Sequence, residues 1–495
     1  YSNSGYILLG AVIEKVTGKS YEEVVETELL APLGMQDSRY GHQEEIVHGR
    51  VAGYVKGPEG WANAPYLSLT QPYGNLMFGP WVPTATDATK DALNVGVMTA
   101  RNCNGDHCLT SHYVAPSSLV PLVEGDHFFG LGTPAPAGRP YIVETVASGT
   151  ANEISYLAQQ LYEFGNRAGY PVGHDVLASL HGRSGYTYWC LRKNGCNYKP
   201  AQELRPFTEA MMQVQAGKDL AAAAGKSYAV RAVATIHGES DHYSYTNNSQ
   251  EFPLDGTDGA FNSIKDYSDA LVEWQRDYEA SVKGITGQAQ PVPLLVSGLS
   301  GWTDAVYSKV AVMQLAAHVK APGKVLLVGP AYHLDGAGDC LHYSIAGERH
   351  LGEYFAKVYS QVVFGGKAWE PVRPTSVTRA GAVITVKFHV PSPPLVFDTA
   401  LVAAAPNRGF RVMVNGAQVA ISSVAITAPD TVTITLPAAP AGTTRLWYAM
   451  QTIDGNQCIG PDFGPRGNLR DSDPTPSRLG NKLYNWAVHF DEAVP

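Results

Sequence analysis

The sequence predicts an α/β chain with three parts: a helical fragment at the N-terminal end, a parallel sheet with flanking helices, and a C-terminal β-sandwich. Three observations carry this expectation. Between about residues 76 and 370, apolar runs of strand length alternate with helical patterns, as in right-handed βαβ units. After 370, short alternating runs are separated by Asn-Gly, Pro and Gly turns. The first 75 residues carry a helical period with no strand partner. At 495 residues the chain exceeds one ordinary core. The expected division is 1–75, 76–370 and 371–495.

In the first part, Ile7, Leu8, Leu9, Val12, Ile13 and Val16 recur at helical spacing and Gly18 ends the run. Ser20-Tyr-Glu-Glu23 reads as a capping box opening a second helix. In the middle part, strands are expected at Asp175–Leu180, Tyr228–Ile236, Val292–Ser297 and Lys324–Val328. Ala64–Leu69 is the expected first strand. Helical patterns span about 151–168, 203–224, 262–283, 304–319 and 344–365. In the tail, alternation marks Ala382–Val390, Phe410–Val414, Val424–Ile426, Val432–Leu436 and Thr444–Tyr448.

Charged residues make up only 16% of the chain, against about 25% typically, while Tyr is abundant at 27. A charge-poor, aromatic-rich surface suits neutral polar ligands such as carbohydrate. The net charge of −9 disfavours nucleic acid. No apolar run reaches the about 20 residues of a membrane span. The chain opens at Tyr1, in mid-pattern and without Met, as a processed or truncated product would. No signal peptide is legible. Six cysteines form an even set. Cys103 with Cys108 and Cys190 with Cys196 would each close a tight loop. Cys340 and Cys458 remain as a third pair. Six reduced thiols are the alternative. Disulfides imply a secreted or periplasmic protein. No CxxC or HxxxH spacing points to zinc, and no metal or organic cofactor is expected.

In parallel sheets the reactive groups gather at the carboxyl ends of the strands. Three polar clusters fall there: His181-Gly-Arg-Ser-Gly185, His237-Gly-Glu-Ser-Asp241 and Asp339-Cys-Leu-His342. Asp339 and His342 have the spacing of an orienting carboxylate and a general base. Ser184, in a glycine-flanked turn, is the first choice of nucleophile, with the Gly185 amide as an oxyanion-hole donor. Ser68, on the expected first strand, is the runner-up and Ser240 the third. His237, Gly238 and Glu239 follow the strand at Tyr228–Ile236. Glu239 and Asp241 are read as bracing their loop. His333 and Asp335 form a rival acid–base pair.

Tyr1-Ser2-Asn3, Gly10, Leu29-Leu-Ala-Pro-Leu-Gly-Met35 and Gly53-Tyr54 resemble the serine beta-lactamase and penicillin-binding-like esterase family. That chemistry requires a Ser-x-x-Lys nucleophile, and none occurs in this chain. Tyr1 and Asn3 are therefore read as structural remnants. From about 75 to 370, Ile236-His-Gly-Glu-Ser-Asp241 and Asp339-Cys-Leu-His342 resemble the SGNH hydrolase superfamily, close to sialate O-acetylesterase-like carbohydrate esterases. The resemblance implies a flavodoxin-like parallel sheet and a Ser-His-Asp esterase acting on acyl, foremost acetyl, esters of a glycan or small molecule. It also implies that His237, Gly238 and Glu239 surround the oxyanion or substrate. One departure stands out: the family's Gly-Asp-Ser or Gly-Gln-Ser nucleophile turn is missing. That departure favours the alternative, a non-catalytic glycan-binding protein on an esterase scaffold. The oligomeric state is left open.

Overall fold

The computed structural model describes residues 13–32, 54–57, 60–63, 94–101, 176–181, 186–196, 205–223, 227–242, 252–301, 309–336, 343–450, 453, 457–477 and 480–495. Near the N-terminus, Gly18 closes a helical segment with φ +66°. Ser20 then caps helix α1 (Tyr21–Val24) by accepting the Glu23 amide, the bond the capping box anticipates. A π-helical turn, Val25–Leu30, continues it. Strands β1 (Tyr54–Gly57) and β2 (Gly60–Asn63) form an antiparallel hairpin.

The middle of the chain builds a parallel sheet from β3 (Asn94–Arg101), β4 (Val176–Leu180), β5 (Tyr228–Ile236), β6 (Leu294–Gly298) and β7 (Val325–Pro330). Its spatial order is β4-β3-β5-β6-β7, with all four pairings parallel. Counted within the sheet this is the order 2-1-3-4-5, and the winding reverses at β3. The described strands β5 to β7 are buried almost throughout. Both faces must therefore be covered, which explains why these strands read as continuous apolar runs.

The helices supply that cover. Helix α2 (Tyr188–Leu191) is a single turn, and α3 (Pro206–Ala223), α4 (Tyr267–Thr286) and α5 (Val310–Lys320) are longer. Side chains of α3, α4 and α5 join Val230, Val233, Leu294 and Val296 in one core cluster. Helix α6 (Ile345–Tyr359) covers the other face, where Leu351, Phe355 and Tyr359 meet Ala232, Leu295 and Leu326. Asp266 caps α4 by accepting two amides, from Ser268 and Asp269, and Gly287 ends it at φ +72°. Ser344 caps α6 through the Gly347 amide.

Two four-stranded antiparallel sheets follow. One orders β13 (Ser423–Ala428), β14 (Thr431–Thr435), β9 (Val383–His389) and β8 (Arg373–Ala380). The other orders β12 (Ala417–Val419), β11 (Phe410–Val414), β15 (Thr444–Tyr448) and β17 (Phe490–Val494). Strands β10 (Val396–Phe397) and β16 (Leu469–Arg470) pair separately. Asn415 and Gly416, both at positive φ, turn β11 into β12. The two sheets meet through Ile384, Val386 and Phe388 on one side and Phe410, Leu446 and Phe490 on the other. This cluster is continuous with the core under the parallel sheet.

The element types agree with the sequence reading, with bounds shifted by a few residues. The structure adds strands that the sequence reading does not give: the β1–β2 hairpin, inside the part expected to be only helical, β8, β12 and β17 in the tail, and β3, an interior strand of the parallel sheet that the pattern does not announce. Gly96 interrupts it and polar Asn94, Thr99 and Arg101 dilute its apolar character. Ala64–Leu69 and the pattern at 151–168 lie outside the described residues. Cys190 and Cys196 are disulfide-bonded as expected, their Cα atoms 4.3 Å apart. Cys458 is also disulfide-bonded, to a cysteine outside the described residues.

One contact sets the position of α6 under the loop after β7. A Cβ added at Gly347 would lie 2.1 Å from the Asp335 carbonyl oxygen, a backbone atom that cannot step aside. Gly347→Ala is expected to cost about 1–3 kcal/mol or more. Urea unfolding checks this against Gly284→Ala on α4, where a Cβ meets open space and the change is neutral or stabilising.

Candidate functional site at the carboxyl edge of the sheet

The carboxyl ends of the parallel strands bring together His181 after β4, His237 to His242 after β5, Leu299 to Gly301 after β6, and Ala331 to Gly336 after β7. The polar groups here need partners, because the strands that deliver them are buried.

His237 is 2% exposed. Its Nε2 lies 3.1 Å from the Tyr186 carbonyl, which can only accept, so Nε2 carries the proton. The Tyr267 hydroxyl then donates to Nδ1 at 2.7 Å. Its main-chain oxygen accepts from the Gln314 amide at 3.0 Å. His237 thus clasps the loop after β5 to α4, α5 and the segment before α2. Burial holds its pKa down to about 4. Gly238 takes φ +139°, and a Cβ there would meet Val310 at 2.7 Å, so only glycine fits.

Asp241 lies 3.4 Å from the His237 Nε2 and accepts the Tyr188 amide. Burial raises its pKa to about 7; the Tyr188 N–H opposes the shift and the neighbouring Glu239 charge adds to it. Below about pH 7 the pair therefore keeps its proton on the carboxyl group and the imidazole uncharged. Glu239 is half-buried beside it. Beneath them, Trp274 makes edge contacts with the rings of His181, His237 and Tyr188. His181 also hydrogen-bonds the Tyr278 hydroxyl through Nδ1.

A serine–histidine pair that the sequence reading misses sits just beyond β6. Ser300 Oγ is 2.8 Å from His489 Nε2, and His489 Nδ1 is 2.8 Å from the Ala449 carbonyl. The carbonyl fixes the proton on Nδ1, so the Ser300 hydroxyl donates to Nε2 and accepts the Ala331 amide. Formally this is a nucleophile–base–orienter row. The two side chains are 1% and 2% exposed, however, and every hydrogen bond is made inside the protein. The row bolts the C-terminal strand to the sheet. Its partners are 189 residues apart, beyond the reach of any local pattern.

The rival pair separates. Asp335 is exposed and accepts the Ser344 hydroxyl at 2.9 Å, while His333 stacks on Trp486 and faces Tyr354 and His350. Burial, His350 and Lys357 keep His333 neutral. Ser184, Gly185, Asp339, His342 and Ser68 lie outside the described residues. Gly336 and Tyr343, which flank the Asp339–His342 stretch, form an antiparallel bridge beside the carboxyl end of β7. Among the described residues, no three His, Cys, Asp or Glu side chains come together as metal ligands. No helix among them is long and apolar enough to cross a membrane.

Residues 1–98 match the beta-lactamase family model. This agrees with the resemblance carried by the first residues and extends past 75. A stretch of 57 residues is 46% identical to a penicillin-binding protein of Bacillus subtilis (strain 168). It covers 12% of each chain, so this chain spans about an eighth of the length of the curated relative it matches. Among solved structures, a carbohydrate acetylesterase from Xanthomonas citri is similar over 80% of each chain, with a TM-score of 0.47 and 14% identity. The N-terminal part of the bacterial S-layer protein SbsC is similar over 27% of this chain and 30% of that one, with a TM-score of 0.15 and 17% identity.

The buried histidines set a pH dependence. His350 and His489 are held near pKa 4 by burial, with Lys357 adding to the effect at His350 and the Ala449 carbonyl opposing it at His489. Between pH 6.5 and 4 the unfolded chain binds protons that the folded chain refuses. Stability is complete above 6.5 and falls as pH drops, by up to about 3 kcal/mol per histidine. The His237–Asp241 pair adds little there, since each state holds one proton on it. Denaturant midpoints at pH 7.5 and 5 are expected to differ, with a smaller difference in His489→Gln. Equal midpoints in the native chain contradict this assignment.

Proposed function

We propose that the chain is an exported serine esterase of SGNH type that removes acyl, foremost acetyl, groups from a carbohydrate. The observation that carries the reading is the His237-Gly-Glu-Ser-Asp241 cluster, which follows the central strand of a parallel sheet ordered 2-1-3-4-5. That order is the flavodoxin-like one, whose ligands bind outside the carboxyl ends at the switch point. The bridge between Gly336 and Tyr343 supports assigning the Asp339–His342 stretch to the same edge.

In this reading the Ser184 hydroxyl attacks the ester carbonyl and passes its proton to His342. Asp339 orients the imidazole and stabilises its charged form. The Gly185 amide donates to the oxyanion, which is the charge that develops in the transition state. As the C–O bond breaks, His342 gives the proton to the departing sugar oxygen, which leaves as a hydroxyl. Water then hydrolyses the acyl-enzyme by the same steps in reverse order. His237, with both ring nitrogens engaged, holds Gly238 and Glu239 at the edge of the cleft. The reading divides the chain into a lactamase-like fragment (1–75), a catalytic domain (76–370) and a β-sandwich accessory domain (371–495). The disulfide between Cys190 and Cys196 favours an oxidising compartment, secreted or periplasmic. Pairing of Cys340 with Cys458 is part of the same proposal.

A second reading, a non-catalytic glycan-binding protein, is favoured by one fact: no Gly-Asp-Ser or Gly-Gln-Ser occurs. Hydrolysis of p-nitrophenyl acetate separates the two. The native chain is expected to turn the ester over, and His342→Ala and Ser184→Ala to lose about 10³-fold or more. Loss in Ser68→Ala with Ser184→Ala intact moves the nucleophile to Ser68. An inert native chain supports the binding protein.

A further inference from the structure

The segment Gln457–Gly464 leaves the antiparallel sheets and lies against two loops of the parallel sheet. A Cβ at Gly336 would be 2.8 Å from the Ile459 carbonyl, and one at Gly301 would be 3.6 Å from the Gln457 carbonyl. Ile459 is buried with Ala331, Leu334 and Tyr343. The segment therefore borders the base through which the Asp339–His342 stretch enters and leaves.

The segment is also stiff. Gly464 takes φ +72°, and a Cβ there would meet the Cys458 carbonyl at 1.8 Å, so the turn closes on itself. Buried Arg466 donates to the carbonyls of Ala403, Ala404 and Gly464. The Ala403 amide donates to the Pro461 carbonyl at 2.9 Å. Every anchor faces inward, yet the tip turns Asp462 and Phe463 outward. Phe463 is 37% exposed and lies over Gly460, where a Cβ would come within 3.0 Å of the ring. The braced turn thus leaves part of an aromatic ring exposed next in sequence to an exposed carboxylate. It matches a pyranose: the ring's apolar C–H face lies on the phenyl ring, and its hydroxyls donate to the carboxylate.

We propose that Phe463 and Asp462 form a sugar subsite, contributed by the segment Gln457–Gly464 beside the carboxyl edge of the parallel sheet, that holds the glycan part of the substrate. This rests on the carbohydrate reading above. The subsite supplies substrate affinity and takes no part in bond breaking.

The test uses the full chain in a His342→Ala background, which stops turnover. Calorimetry measures binding of partially O-acetylated xylo-, manno- and chito-oligosaccharides. Phe463→Ala is expected to weaken the best of these about tenfold, Phe463→Trp to retain it, and Asp462→Asn to weaken it several-fold. With His342 restored, Phe463→Ala leaves p-nitrophenyl acetate hydrolysis unchanged. Native affinity for an oligosaccharide that survives Phe463→Ala overturns the subsite and spares the carbohydrate reading. A native chain that binds none of the three overturns both. Far-ultraviolet circular dichroism and denaturant midpoints equal to the parent's exclude misfolding as the cause of lost binding.

Discussion

Strands Tyr228–Ile236, Leu294–Gly298 and Val325–Pro330 are buried on both faces, so they deliver polar side chains mainly where they end. That constraint governs the rest of the molecule. It forces the helices onto two faces and concentrates His237, Glu239, Asp241 and Ser300 at one edge. It also obliges that edge to find hydrogen-bond partners without the help of water. His237 meets the need with Tyr267 and Tyr186, and Ser300 meets it with Ala331 and His489.

The C-terminal part is not a separate bead on this scaffold. After the antiparallel sheets the chain returns along α6. There the Lys357 ammonium, buried and lowered in pKa by desolvation, is held by Asp473 at 2.7 Å, the Asn485 side chain and the Leu483 carbonyl. Asp471 accepts from both the Asn485 main chain and side chain. Buried charges of this kind are tolerable only when every lone pair and proton is matched, so the returning segment has one geometry. Just before β17, His489 meets Ser300 beyond the end of β6, and the hydrophobic cluster runs unbroken from Leu294 to Phe490. The carboxyl edge is consequently bordered by both halves of the chain, with Gln457 and Ile459 packed against Gly301 and Gly336.

Much of this was legible in the residues. Apolar runs such as Leu294–Val296, alternating with helical patterns, read as strands buried on both sides. Ser20 announces the helix it caps, and the Asn-Gly turns of the tail announce hairpins such as the one at 415–416. Strand Asn94–Arg101 escaped because Gly96 and Arg101 break the apolar run, and its stability comes from its neighbours. The clasp at His237 and the bolt at Ser300–His489 escaped for a different reason. A hydrogen bond between residues 30 or 189 apart leaves no periodic trace, and the same His could equally have faced a substrate. The residues assigned the chemistry, Ser184, Asp339 and His342, were legible as strand-end motifs and remain a proposal.

The central claim is that a serine at this edge is the nucleophile. Labelling the native chain with a fluorophosphonate probe and mapping the modified peptide tests it most directly. One adduct is expected, on the peptide carrying Ser184, abolished in His342→Ala. A chain that takes up no probe, or an adduct on a serine away from the carboxyl ends of the strands, contradicts it.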